Sequence, residues 1–420
     1  MMASEAKLKQ RAPSVAGATT ALVLLTALNF VNYIDRYLLP GVQEQVKQEF
    51  HVSDAAIGSL TFWFFLTYML AAPITGPLGD RYPRKPLIVA GALFWSCINF
   101  FTASVHTFFS LNLRHAALGI GEASFGIFAP AILADFYPEE DRNRILTIFY
   151  TAIPIGAALG YLIGGVVGGH YGWRFPFYVS AVPGVIFALL VWFCMREPER
   201  GGNEVPVAKD KATFVSLIRN PAYLYATLGM AMTTFSLGGI SAWIPSFVQR
   251  LGHSSASTGT LIGGITAVTG LLGTATGGWL AQMWLRRNGK ALYLLSAWSA
   301  LLAIPPALVC FFGPKSLLFP SLALAEFCIF LGTGPLNAAI VNSVSASVRA
   351  TAVALELFLI HALGDLPSPI IIGEVSDHSN LALGLGVTLI SLLVATILLF
   401  AGARTAPETA APTSIETRSA

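Results

Sequence analysis

REPERGGNEVPVAKDKATFVSLIRNP, residues 196–221, is the longest polar stretch of this 420-residue chain. It is rich in charge, glycine and proline, a composition typical of a loop or linker. On either side the sequence breaks into apolar runs of about 20 residues or more, the length that crosses about 30 Å of hydrocarbon as a helix. Because six runs precede the stretch and six follow it, we interpret it as a linker between two halves of a membrane protein.

The composition favours the same fold class. Hydrophobic residues make up 55% of the chain and charged residues only 11%, against about 25% charged residues in an average soluble domain. We predict an all-α membrane protein with twelve transmembrane helices in two six-helix bundles. The predicted spans are 17–39, 55–78, 86–106, 108–134, 145–168, 173–195, 222–248, 256–284, 290–312, 317–343, 350–373 and 381–402. The predicted domains are a cytoplasmic N-terminal segment (1–16), an N-terminal bundle (17–195), a cytoplasmic linker (196–221), a C-terminal bundle (222–402) and a disordered cytoplasmic tail (403–420).

The basic residues indicate the orientation of these spans. With a cytoplasmic N-terminus, 19 of the 25 Lys and Arg residues fall in the two terminal segments, the linker and the inner loops, and four fall in outer loops. This imbalance follows the positive-inside rule and predicts that both termini are cytoplasmic. The basic residues therefore indicate topology rather than a nucleic-acid surface. The four cysteines lie in predicted spans without CxxC spacing, so we predict no metal site and no cofactor.

Short fragments recur across the linker at a nearly constant offset. The stretch GPLGDRYPRK (76–85) has a degraded counterpart in GGWLAQMWLRR (277–287), and SDAAIG (53–58) has one in SSASTG (254–259). This repetition indicates a duplicated six-helix unit. Secondary transporters with this arrangement bind their substrate between the two halves, near the middle of the membrane.

The first of these fragments also carries a family resemblance. GPLGDRYPRK resembles the G-x-L-a-D-r-x-G-r-k signature of the major facilitator superfamily, with Pro83 in place of the second glycine. The resemblance implies a transporter fold and an inner latch in which Asp80 pairs with a nearby arginine. The alternative is a loop that only fixes topology. The predicted latch residues are Gly76, Asp80, Arg81, Arg84 and Arg142.

Longer stretches resemble the spinster family within that superfamily, among them NYIDRYLLPGV (32–42) and the segments 119–144 and 348–377. Animal members are proton-linked exporters of sphingosine-1-phosphate and lysophospholipids, and we expect a bacterial member in the inner membrane. Where the family pattern has an arginine on helix four, this chain has His115, with Arg114 one residue earlier. Successive helical residues point about 100° apart, so the choice between these two side chains stays open.

Several polar residues interrupt the predicted spans. A charged side chain at the bilayer centre costs about 2.5–3.5 kcal/mol on insertion scales, so those present tend to face a cavity or a partner. On the first span, Asn29, Asn32 and Arg36 form one stripe with Asp35 beside it, and we expect this stripe to line a central cavity. The predicted substrate-binding residues are Arg36, Asn32, Arg114, His115 and Asn337.

Glu122 lies two helical turns after His115 on the fourth span. Burial disfavours an ionised carboxylate and a neighbouring cation favours it, so carboxylates beside Arg36 are suited to exchanging protons near neutral pH. Asp35 and Glu122 are therefore the predicted proton-coupling residues. The alternative interpretation is a fixed salt bridge that joins helices one and four.

In the second half, His361 and Asp365 are four residues apart and can hydrogen-bond on one helix face, just before Pro367 and Pro369 end that helix. We interpret them as a pair that holds a bent helix. Together with Glu356 they are the predicted polar residues of the second half.

Span five carries Gly156, Gly160, Gly164 and Gly168 at strict four-residue spacing. Small residues at this period let two helices approach closely. The family resemblance implies that this stripe lies between the two halves, and tight packing elsewhere is the alternative.

The predicted function is secondary active transport, proton-coupled, of a lysolipid-like anionic amphiphile by alternating access. The expected partners are this amphiphilic or lipid substrate, protons and the lipid bilayer, with no nucleic acid, and the chain is expected to be a monomer. A drug or small organic-anion antiporter of the same superfamily is the first alternative. A membrane receptor that binds without translocating is a second. A membrane enzyme is disfavoured because no nucleophile stands beside a suitable base.

Overall fold

A computed structural model describes residues 16–198, 214–344 and 348–406, and for residues 76, 80, 139, 140, 143, 214, 215 and 350 it describes the backbone alone. The described chain is helical, which confirms the predicted fold class. Its helices are α1 (Ala18–Phe50), α2 (Asp54–Arg81), α3 (Arg84–Thr102), α4 (Phe108–Phe136), α5 (Glu139–Tyr150), α6 (Ala152–Tyr171), α7 (Phe175–Cys194), α8 (Phe214–Ile218), α9 (Pro221–Arg250), α10 (Ser255–Leu285), α11 (Ala291–Phe312), α12 (Leu318–Asn342), α13 (Arg349–Ile360), α14 (Ser368–His378) and α15 (Leu381–Thr405).

Eleven segments of the described chain are long and apolar enough to cross a membrane. The twelfth predicted span corresponds to α9, which has 30 residues but is not among those eleven. Its buried face carries hydroxyl side chains, including Thr227, Thr233 and Ser236. Helix α9 can carry this polarity because it packs among α1, α12, α13, α14 and α15 rather than presenting that face to lipid.

The repeated fragments begin equivalent helices in the two halves. Ser53 accepts a hydrogen bond from the backbone N–H of Ala56 at the start of α2. Ser254 accepts one from Ser257 at the start of α10 in the same way. A serine at this position satisfies one of the backbone donors that a helix leaves free at its start. The duplication predicted from the sequence therefore has a structural counterpart at these two caps.

Two predicted spans are interrupted. Residues 145–168 were expected to form one helix, whereas α5 and α6 meet at Thr151, three residues before Pro154. The span over 350–373 is divided by a π-helical turn, His361–Asp365, in which the N–H of Leu366 donates to the carbonyl of His361. Prolines at 367 and 369 lack the N–H groups that would continue the regular ladder, which accounts for the second interruption.

The glycine stripe of α6 packs within the N-terminal bundle rather than between the halves. A Cβ on Gly156 would lie 2.6 Å from Cβ of Tyr33, and one on Gly160 would lie 2.6 Å from Cβ of Tyr37, both on α1. The neighbouring face of α6 meets the other half instead, since a Cβ on Gly165 would lie 2.5 Å from the carbonyl oxygen of Ser255 on α10. The sequence correctly predicted that another helix packs closely on this stripe. The prediction that this helix belongs to the other half was wrong, because the helix is α1 of the same bundle.

The two bundles meet in two pseudo-equivalent contacts, α2 against α14 and α6 against α10. We call the end of the molecule that holds Ala18 and Thr405 the proximal end and the opposite end the distal end. Near the distal end both contacts contain a glycine from the repeated fragment. A Cβ on Gly58 would lie 2.5 Å from the carbonyl oxygen of Pro369, and one on Gly259 would lie 2.3 Å from that of Tyr161.

Hydrogen bonds and ion pairs that join described residues of the two bundles all lie in the distal half. Asp54 is their centre, because its carboxylate accepts hydrogen bonds from Arg250 at 2.6 and 2.7 Å and from Ser376 at 2.6 Å. Asp377 in turn accepts the backbone N–H groups of Asp54 and Ala55 at the start of α2. The molecule is therefore closed at its distal end.

Candidate functional site between the bundles

Arg36 and Glu122 form a buried ion pair near the middle of their helices. Nη2 of Arg36 donates to Oε2 of Glu122 at 2.7 Å, and Nε donates to the same oxygen at 3.3 Å. The Glu122 side chain is 1% exposed and the Arg36 side chain 19%. The carboxylate is thus sealed within the N-terminal bundle, whereas the Arg36 side chain is partly exposed.

Four aromatic rings surround the Arg36 guanidinium. Its central carbon lies 5.0 Å from the ring centres of Tyr33 and Phe64 and 5.8 Å from those of Phe65 and Tyr68. A cation held against aromatic faces is stabilised by about 0.5–2 kcal/mol for each favourable contact. Arg36 and these rings form what we call the arginine box. Phe64, Phe65 and Tyr68 come from the aromatic run FWFFLTY (62–68) of α2. This run is visible in the sequence, but it was not among the residues predicted to form the site.

The second bundle closes the front of the arginine box. The imidazole of His361 stacks on Phe65 at 5.1 Å between ring centres and meets the edge of Tyr68 at 5.6 Å. Nδ1 of His361 lies 2.8 Å from Oδ2 of Asp365, so the predicted pair is formed. It lies in the π-helical turn, and it therefore faces the other half of the molecule as well as holding a bend.

Asp35 faces α3 and α7, about 100° around α1 from Arg36. Its carboxylate is surrounded by Asn99 and Trp95 on α3 and by Ser180 on α7. The residue is 4% exposed, and neither carboxylate oxygen has a hydrogen-bond partner within the described part of the chain. The expectation that Asp35 lines the central cavity beside Arg36 was therefore wrong, because adjacent residues of a helix point about 100° apart.

The predicted stripe on α1 also turns inward. The amide of Asn29 donates to the carbonyl of Phe149 at 3.0 Å, and the buried Asn32 side chain lies next to Glu122. Of this stripe, Arg36 is the member that extends from the bundle into accessible space. Asn32 therefore lies beside the ion pair, whereas Asn29 joins α1 to α5.

Neither candidate for the helix-four cation reaches Glu122. Arg114 lies over the ring of Phe101 at 5.8 Å, and His115 is buried with Nδ1 3.3 Å from the carbonyl of Leu111. The cation beside Glu122 comes from α1 instead. Two predicted residues of the second half also lie apart from the arginine box: Asn337 is exposed and bonds to Thr333 of its own helix, and Glu356 is buried near Tyr223.

At the proximal end, the described contacts of the predicted latch stay within the N-terminal bundle. Nη1 of Arg84 donates to Oδ2 of Asp135 at 2.7 Å, which ties the start of α3 to the end of α4. Nε of Arg142 donates to the backbone carbonyls of Ala134 and Tyr137. These contacts fasten the inner loops of one bundle to each other.

The other predicted latch residues are Arg81, Gly76 and Asp80. Arg81 is the exposed last residue of α2. Only the backbone is described at Gly76 and Asp80, so the role of Asp80 stays a prediction.

Comparison with known proteins agrees with this architecture. Residues 25–364 match the Major Facilitator Superfamily. Protein spinster homolog 1 of Homo sapiens is 33% identical over 408 residues, which cover 88% of this chain and 75% of that protein. A Danio rerio protein named as a sphingosine-1-phosphate transporter is 34% identical over 403 residues, covering 89% and 78%. The crystal structure of a bacterial homolog of the human lysosomal transporter spinster, inward-facing and unoccupied, has a TM-score of 0.83 and 22% identity, covering 94% and 98%.

Two helical bundles that enclose a charged site between them, together with the superfamily match, define a membrane transporter and not an enzyme. The chain belongs to the spinster family of the major facilitator superfamily. The resemblance inferred from the sequence is thereby confirmed.

Proposed function

We propose that this chain carries a lysolipid-like anionic amphiphile across the membrane by alternating access, driven by protons. The observation that supports this proposal best is the arginine box, in which a partly exposed arginine side chain is surrounded by aromatic rings between the two bundles. A guanidinium pairs with phosphate or carboxylate oxygens through two parallel hydrogen bonds. The surrounding rings suit the apolar part of the same ligand, and the name of the Danio rerio relative supports this class of cargo.

Glu122 is the proposed proton switch. While it is ionised, it occupies Arg36 through two hydrogen bonds. A proton on the carboxylate removes its charge and leaves the guanidinium available to an anion. Lower pH therefore favours binding of the anionic head, and deprotonation favours its release. Asp35, buried behind α1, is the second proposed proton-coupling residue.

The charge distribution supports an orientation for the cycle. With both termini in the cytoplasm, as the positive-inside imbalance predicts, the distal end faces outward. The distally closed molecule is then an inward-facing state, in which the proximal side gives access to the arginine box. Each half covers the other's central face, which supports a monomeric transporter.

The test is transport of a fluorescent lysophospholipid in proteoliposomes under an imposed pH gradient. Glu122→Gln is expected to abolish the stimulation by the gradient, because the glutamine neither takes up a proton nor neutralises Arg36. Asp35→Asn is expected to weaken it. Glu356→Gln is the matched control, since Glu356 is also buried but lies apart from the arginine box. Full stimulation in Glu122→Gln would refute the proposed switch.

A competition panel tests the cargo separately. Lysophospholipids and sphingoid-base phosphates are expected to compete with the fluorescent substrate, and small organic anions are not. Competition by the organic anions alone would favour the alternative, an organic-anion antiporter of the same superfamily.

A further inference from the structure

Glu326 is a buried carboxyl group in the C-terminal bundle, outside the arginine box. It projects from α12 and is 5% exposed. Its hydrogen-bond partners are the hydroxyl groups of Thr266 and Thr269 on α10, at 3.2 and 3.0 Å from Oε2. An ionised carboxylate without a cation is costly at such a depth, whereas a protonated carboxyl group that is fully hydrogen-bonded is tolerated.

The hydrogen-bond geometry favours the protonated form of Glu326. Oγ1 of Thr269 lies 2.8 Å from the carbonyl oxygen of Ile265 and 3.0 Å from Oε2 of Glu326. A threonine hydroxyl has one hydrogen, and a carbonyl oxygen can only accept. Both contacts are full hydrogen bonds when Thr269 donates to Ile265 and accepts from Glu326. Glu326 must then carry a proton, while Thr266 donates to the same carboxyl group.

The surroundings of Glu326 contain no counterion among the described residues. The titratable side chains that face it from neighbouring helices are Tyr161 on α6 and Cys310 on α11. Both are neutral in their ordinary protonated forms. A proton on Glu326 would therefore be held by hydroxyl groups and burial alone, in contrast to Glu122, which has Arg36 beside it.

Thr266 connects this carboxyl group to the interface between α6 and α10. It lies three residues after Gly263 and four before Gly270, so the three share one face of α10. That face contacts α6, since a Cβ on Gly263 would lie 2.6 Å from the carbonyl oxygen of Ala158 and one on Gly270 would lie 2.9 Å from Cβ of Pro154. Separation of α6 from α10 would uncover the hydroxyl groups that hold Glu326.

We propose that Glu326 is a further proton-binding site, which holds its proton while the distal end is closed and releases it when α6 and α10 separate. The inference rests on the proposed function, because it assumes a cycle that opens the distal end. On release, the O–H bond of the carboxyl group breaks, a water molecule of the opened interface accepts the proton, and the carboxylate is left hydrated. One cycle would then involve proton-binding groups in both halves of the molecule.

Infrared difference spectroscopy of the purified protein during a pH titration tests the proposal without any transport. The carbonyl stretch of a protonated carboxylic acid is distinct from the bands of an ionised carboxylate. Every buried carboxyl group without a cation can contribute such a band at neutral pH, and we expect the component from Glu326 to be lost in Glu326→Gln and retained in the matched controls Glu122→Gln and Glu356→Gln. Thr269→Val removes the acceptor and is expected to shift this band, so the assignment does not depend on the folding of one variant.

Identical spectra of the wild type and Glu326→Gln at every pH would overturn the proposal and leave the proposed function standing. Conversely, Glu122→Gln is expected to leave the Glu326 band unchanged even where it abolishes gradient-driven transport, so the two tests are independent. Asp54→Asn is expected to favour the distally open state and therefore to weaken the Glu326 band at neutral pH in proportion to the open fraction. Persistence of the band in that opened state would overturn the release step.

Discussion

Arg36 makes two kinds of contact that depend on the shape of its guanidinium. Two of its nitrogens reach Oε2 of Glu122, and its plane lies among four aromatic rings. A lysine carries the same charge as a compact ammonium group that cannot present a planar fork of donors. The contacts of Arg36 therefore depend on the planar shape of the guanidinium as well as on its charge.

We expect Arg36→Lys to lower transport of a lysophospholipid by about 10-fold to 100-fold, because losing a charge-assisted hydrogen bond costs about 1.5–3 kcal/mol. Initial rates in proteoliposomes measure this effect. Arg114→Lys is the matched control, since Arg114 also lies within a span but contacts Phe101 instead of the arginine box. Equal rates for the two lysine variants would contradict the role given to the guanidinium.

The adjacent pair Asp35 and Arg36 shows what the sequence could and could not predict about the site. The cost of charge in lipid correctly indicated that both side chains must be covered. The choice of neighbour depends on how α1 is rotated against α3, α4 and α7, and that rotation is set by packing across the whole bundle. The sequence therefore predicted that Arg36 and Glu122 lie close together, but not that the side chain of Asp35 faces α3 and α7.

The glycines of α6 and α10 show the same limit for whole helices. Spacing at four residues predicts a face on which another helix can approach, and α6 has such a face. A second face of small residues on α6, which includes Ala158 and Gly165, packs against α10. The four-residue spacing of the glycine stripe gave no indication of this second face. Helix positions and the twofold repeat could be predicted from hydropathy and fragment matches, whereas the partner of each face could not.

Gly259→Ala is expected to push α6 and α10 apart at the distal end, because the added Cβ would lie 2.3 Å from a backbone oxygen that cannot rotate away. Spin labels at His106→Cys and Ser379→Cys, in a background without the exposed Cys97 and Cys194, report the distal separation by pulsed electron resonance. The expected result is a larger population at long distance.

Gly264→Ala is the matched control for this helix, since a Cβ there meets nothing within 4 Å. Alanine is also the better helix former, so this change is expected to be neutral or stabilising. A distance distribution that is the same in both alanine variants would show that the close contact of Gly259 does not set the closed state.

Charged contacts join the two bundles at the distal end, and opening that end requires these contacts to break. Asp54 connects α2 to α9 and α14 through Arg250 and Ser376, and it also binds Lys47. Its neighbour at the same end, Glu49, pairs with Arg174 at 2.6 Å, but that pair joins two parts of one bundle. The ion pair of Asp54 therefore holds the two bundles together, whereas the ion pair of Glu49 stabilises a single bundle.

Asp54→Asn is expected to raise the ratio of distally open to distally closed molecules by about 10-fold or more, since losing one charge-assisted contact of about 1.5 kcal/mol shifts a two-state equilibrium by that factor. The distal label pair described above measures the opening. In a carrier that rocks about a central site, the proximal ends must approach as the distal ends separate. Labels at Arg144→Cys and Arg286→Cys, both exposed, are therefore expected to move closer in the same variant. Glu49→Gln should leave both distances unchanged, and distal opening without proximal approach would contradict rigid-body rocking.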